Sequence, residues 1–111
     1  MSPNDKRAST RYEVDLPMQV TRDGQVALAR TENLSLGGAL VRLATELSVK
    51  VGDRVEISFR LPDLDKPLSA KADVRWVGDL DQGMIGLQFV TGFRAKETWA
   101  LNRFLENHGS T

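Results

Sequence analysis

The sequence predicts an all-β fold: six short antiparallel strands that form a barrel or a sandwich, followed by a single C-terminal helix. Three observations carry this expectation. Apolar and polar residues alternate in runs spaced about 8–12 residues apart, with no helical stretch between them. Turn chemistry separates the runs, at Asp23-Gly24, Gly52-Asp53 and Gly78 to Gly83. A helical period appears only after Arg94.

Residues 1–10 are polar and lack either period, so they read as a flexible basic N-terminal arm, and 11–111 as one folded domain. Val14, Leu16, Met18 and Val20 alternate with polar residues and predict the first strand, with Pro17 marking an edge or a bulge. Asp23-Gly24 is a two-residue hairpin signal, and Gln25 to Glu32 returns as the second strand, opening a meander. Asn33 to Gly38 reads as a turn and Ala39 to Leu43 as a short third strand. Val55, Ile57, Phe59 and Leu61 alternate strictly with Glu56, Ser58 and Arg60. A long fifth strand places Leu68, Ala70, Ala72, Val74 and Trp76 on one face, and Ile85, Leu87 and Phe89 form the sixth. The helix, about 94–107, carries Leu101, Phe104 and Leu105 on one stripe, with Trp99 roughly 160° from Leu101.

Composition narrows the function. The 111 residues carry 15 basic and 15 acidic side chains and are 41% hydrophobic, the balance of a single globular domain. There is no cysteine, and the one histidine, His108, lies near the end of the chain, so thiolate sites, histidine triads and multi-histidine metal sites are excluded. No apolar run is long enough for a membrane span, and no secretion signal is present, which makes the cytoplasm the expected location. Zero net charge and 6% aromatics argue against a duplex or single-strand nucleic-acid binder. A binding module is expected, not an enzyme.

Two segments suggest what it binds. Lys6, Arg7 and Arg11 make the arm basic, and the planar, permanently charged guanidiniums of Arg7 and Arg11 suit phosphate oxygens or the O6/N7 edge of guanine. Asn33, Ser35, Gly37 and Gly38 bring an amide, a hydroxyl and glycine backbone onto one tight turn, with the glycine N–H groups expected to face the ligand. Loop or arm chemistry alone would leave each segment a solvated charge run or a structural turn.

The pair RxxxR (Arg7, Arg11) followed by (D/N)xSxxG (Asn33, Ser35, Gly38) resembles the PilZ domain, the bacterial receptor module for cyclic di-GMP. The Val74-Arg75-Trp76 strand and Gly86-Leu87-Gln88-Phe89 agree with it, and the resemblance runs from about Arg7 to Leu105. It implies a six-stranded PilZ-type β-barrel with the C-terminal helix packed across it. It also implies that Arg7 and Arg11 contact guanines and phosphates, that Asn33 and Ser35 bind the base edge and phosphate region, and that Gly38 shapes the turn. Lys6 then occupies the position that bears on whether one ligand or a stacked pair is bound, with a lean towards two. Trp76 is a ligand contact or a core residue, and Trp99 a helix-packing residue or a partner contact. The implied function is second-messenger signalling: cyclic di-GMP orders the arm and the chain, as monomer or homodimer, signals to an effector protein, with no cofactor and no membrane insertion. The rival expectation is a ligand-independent PilZ-like interaction adaptor.

Overall fold

The computed structural model describes residues 12–62, 64–78, 83–90 and 93–108. The expected arm, with Lys6, Arg7 and Arg11, lies outside the described residues. Six strands are present, β1 (Pro17–Arg22), β2 (Gln25–Leu34), β3 (Gly38–Leu43), β4 (Arg54–Phe59), β5 (Leu68–Val77) and β6 (Met84–Phe89), followed by helix α1 (Ala95–His108). The strands close into an antiparallel barrel in the order β1-β2-β3-β6-β5-β4.

The β1–β2 hairpin turns on Asp23 (φ 51°) and Gly24 (φ 82°), the two positive-φ residues that match the twist of a two-residue loop. The meander ends at β3. Rather than pairing with β4, β3 pairs with β6, and β4 crosses to close on β1. Such pairings are set by which apolar faces must meet over long sequence separations, and no local pattern encodes them.

β1 begins at Pro17, not near Val14 as the alternation suggests, and Pro17 marks no edge. It pairs with Arg30 on one side, while pairing to β4 starts at Met18, so its missing N–H falls at the strand's opening residue. The Val14 to Leu16 segment is held instead by buried Thr31. Its Oγ1 donates to the Val14 carbonyl (2.6 Å) and accepts from the Leu16 N–H (2.9 Å), and its own N–H donates to the Leu16 carbonyl (2.9 Å). Thr31→Val keeps the shape but strands a carbonyl and an N–H, so it is expected to cost about 1–3 kcal/mol. A fall in melting temperature by calorimetry checks this; an unchanged value would show that Thr31 does not anchor the segment.

The interior is filled by Met18, Val20, Leu34, Val41, Val55, Ile57, Leu68, Val74 and Ile85 from the strands, joined by Leu101, Phe104 and Leu105 from the expected stripe of α1. Phe93 leads into the helix and meets Phe59 of β4 (centroids 6.0 Å) and Phe89 of β6 (5.5 Å) edge-on. The first turn of α1 is closed by Glu97, whose Oε1 accepts the Arg94 N–H at 3.1 Å.

On the outer face, Arg54 Nε donates to Asp73 Oδ1 at 2.9 Å. That hydrogen bond, with the charges of Arg54 and Arg75, holds the Asp73 carboxyl below the usual carboxylate range. A lowered carboxylate contributes stability above its unfolded pKa and loses it as pH falls through the folded value. Asp73→Asn is therefore expected to lower the melting temperature slightly at neutral pH and not at all at strongly acidic pH. A melting-temperature difference independent of pH would refute the assignment.

Candidate functional site

Two β-bulges decide what the outer face presents. In β2, Thr31 pairs with Val41 and Asn33 with Leu40, so Glu32 is the extra residue. In β5, Val74 pairs with Leu87 and Trp76 with Gly86, so Arg75 is the extra residue. The second bulge reverses the expected face of Trp76. It does not join the alternating core face but lies outside the barrel, 48% exposed. Because Leu40 also pairs with Gly86, the residues Asn33, Leu40, Gly86 and Trp76 form one row across four strands. A side chain at Gly86 would put its Cβ 3.2 Å from the Trp76 Cβ, so the glycine is what lets the tryptophan lie low on the sheet. Beside this row, Arg75 Nε donates to Gln88 Oε1 at 2.7 Å.

Asn33 belongs to β2 and not to the turn that follows it. Its Oδ1 is enclosed and has no hydrogen-bond partner among the described residues. An enclosed acceptor left unpaired costs about 1–3 kcal/mol.

The turn differs from expectation in where its polar groups point. Ser35 is buried, and its Oγ accepts the N–H groups of Gly37 and Gly38, each at 3.1 Å, while lying 3.2 Å from the Gly38 carbonyl as a donor. The Ser35 N–H also donates to that carbonyl at 2.8 Å. The glycine N–H groups therefore turn inward onto the hydroxyl and do not form an outward-facing cradle. Ser35 builds the turn with every donor and acceptor position of its hydroxyl in use. Gly38 is required by close packing: a Cβ there would fall 2.2 Å from the Leu87 carbonyl oxygen of the adjoining strand. The Gly37 carbonyl accepts the Phe89 N–H at 2.8 Å, tying the turn to the end of β6 just before the helix.

The first described residue is held to the end of β2 through backbone. Tyr12 and Leu34 form an isolated antiparallel bridge, N–H to carbonyl at 3.0 Å in both directions. Tyr12 directly follows Arg11 in sequence and Leu34 directly follows Asn33, so the bridge joins the residues next to the two motifs. Sequence reading missed Tyr12 and Thr31 as the residues that hold this segment to β2. Alternation in a β-rich segment gives no sign of a bridge between positions so far apart.

Trp99 lies off the packing stripe, as its angle on the helix predicts, and is 61% exposed with the Arg103 guanidinium 5.0 Å from its ring centroid. The reading in which it packs on a second side of the helix does not hold. No helix of the described residues is long and apolar enough to cross a membrane.

The fold is a small closed-barrel module with one C-terminal helix that packs into its core. The model of the PilZ domain matches residues 5–107, and the chain belongs to the PilZ domain family. Among solved structures, the chain is similar to the Bacillus subtilis inhibitor of motility MotI/DgrA, with TM-score 0.72 and 22% identity over 87% of this chain and 48% of that one. It thus spans about half the length of that protein. It is also similar to the PilZ domain of CeSA from a cellulose-synthesizing bacterium, with TM-score 0.64 and 21% identity over 87% of this chain and 95% of the other. At these identities the likeness is one of fold. No curated protein matches the chain.

Proposed function

We propose that this chain is a non-enzymatic receptor for cyclic di-GMP. The observation that carries the reading is the Tyr12–Leu34 bridge, which returns the residues after the RxxxR motif to the NxSxxG turn. The unpartnered Asn33 Oδ1 supports it, since guanine offers N–H donors to such an acceptor. Arg7 and Arg11 grip guanine edges and phosphates from the basic arm, with Lys6 adding charge. Trp76, on the same row as Asn33, offers an indole face to a base across the low floor of Leu40 and Gly86. Ser35, Gly37 and Gly38 act by holding the turn. Binding orders the arm over the ligand, and the altered surface signals to an effector protein.

Calorimetric titration with cyclic di-GMP, with GTP and the linear dinucleotide as controls, tests this. Selective binding at micromolar or lower concentration is expected, with the stoichiometry reporting one ligand or a stacked pair. Absence of binding, or equal binding of GTP, would refute the receptor reading in favour of a ligand-independent adaptor.

A further inference from the structure

The outward face of α1 has a charge pattern that does not serve the helix. Lys96 sits in the first turn and Glu106 in the last, each of a sign that the helix dipole disfavours. Neither has an ion-pair partner among the described residues, and both are exposed. Between them Trp99 and Arg103 stand on the same solvent-facing stripe, the indole directed away from the buried Leu101. An exposed tryptophan flanked by charges placed against the dipole is a local cost without a local return.

The spacing supplies the return. A two-fold axis beside the outer face of the helix, perpendicular to it at the level of residue 101, exchanges positions equally distant from that level, which pairs 96 with 106 and 99 with 103. A second copy of α1 laid antiparallel would put each Lys96 ammonium opposite a Glu106 carboxylate, and each Trp99 indole beneath the Arg103 of the other copy. Arg103 of the same chain covers one face of the indole and leaves the other for this contact. The same exchange pairs Ala95 with Asn107, short side chains beside the stripe that allow the helices to approach. Antiparallel helices also bring each Lys96 near the negative end of the opposite helix dipole and each Glu106 near its positive end, so the placement unfavourable in one chain becomes favourable in two.

We propose that the Lys96, Trp99, Arg103 and Glu106 face of α1 is a self-complementary surface through which two copies of this chain form an isologous dimer. The pattern fits a second copy better than a membrane, because the stripe has one apolar side chain among charges of both signs. A generic acidic partner would leave Glu106 facing like charge.

Sedimentation velocity across a concentration series tests it, with ligand absent so that the outcome is independent of the receptor reading. A reversible dimer is expected. Trp99→Ala should weaken dimerisation by tenfold or more, and Lys96→Glu or Glu106→Lys alone by several-fold. The double change Lys96→Glu with Glu106→Lys should restore it, because the pairs re-form with exchanged signs. All four side chains are exposed, and circular dichroism would confirm that each variant is folded. A chain that stays monomeric at millimolar concentration, a dimer indifferent to Trp99→Ala, or a charge exchange that fails to rescue would each overturn the proposal.

Discussion

Gly38→Ala is expected to cause the largest loss of stability of any single methyl addition in the described barrel. The added Cβ would stand 2.2 Å from the Leu87 carbonyl oxygen, which is backbone and cannot rotate away. Relief requires β3 and β6 to part where Gly38 pairs with Gln88 and Ala39 with Leu87, a pairing that closes the barrel. Overpacking of this kind costs about 3 kcal/mol, or a melting temperature lower by roughly 10–20 °C in a domain this size. Gly86→Ala is the informative comparison. Its Cβ would meet the Trp76 Cβ at 3.2 Å and the Trp76 backbone nitrogen only at 3.9 Å, so a shift of a few tenths of an ångström suffices and the loss should be smaller. Equal melting temperatures for the two variants would show that the close approach at Gly38 is not a constraint. The result bears on function as well. Gly38 is the last fixed residue of the second motif, and if it serves the barrel then loss of ligand binding in a Gly38 variant says nothing about direct contact.

The elements that could be read from sequence are those encoded by near neighbours. Strict alternation from Val55 to Phe59 gave β4, Asp23-Gly24 gave the hairpin, and the spacing of Leu101, Phe104 and Leu105 gave the buried face of α1. What escaped depends on distant strands. The bulges at Glu32 and Arg75 arise where two ladders with fixed registers must be reconciled in a closed barrel, and a single extra residue sends Trp76 to the opposite face. The order of the strands escaped for the same reason. Within the candidate site, the motif positions were legible as residue types but not as roles. Ser35 and the two glycines share the composition of an anion-binding turn, yet the hydroxyl lies near enough to take both N–H groups itself. Asn33, by contrast, keeps its acceptor unpaired among the described residues, which separates it from the residues that shape the turn.

That separation gives the second large expectation, which contrasts two substitutions. Arg11→Ala removes a charged donor, and hydrogen bonds to charged groups contribute about 1.5–3 kcal/mol, so cyclic di-GMP affinity should fall roughly 10- to 100-fold. Residues 1–11 are too polar to form core, so the melting temperature should move by no more than a surface substitution allows, within about 0.5 kcal/mol. Asn33→Val should also weaken binding, by removing the acceptor that the ligand would satisfy. Its effect on the free protein should be the reverse of a usual binding-site truncation. Taking away an enclosed, unpaired oxygen and adding a β-branched side chain in β2 is expected to leave the melting temperature unchanged or raise it. Calorimetric titration and thermal unfolding on the same two variants check both halves. Affinity retained in Arg11→Ala would remove the arginine from the site. A marked drop in melting temperature for Asn33→Val would mean that its amide is already satisfied in the free protein, which would leave a structural role for Asn33 and remove the polar anchor on which the base-recognition argument rests.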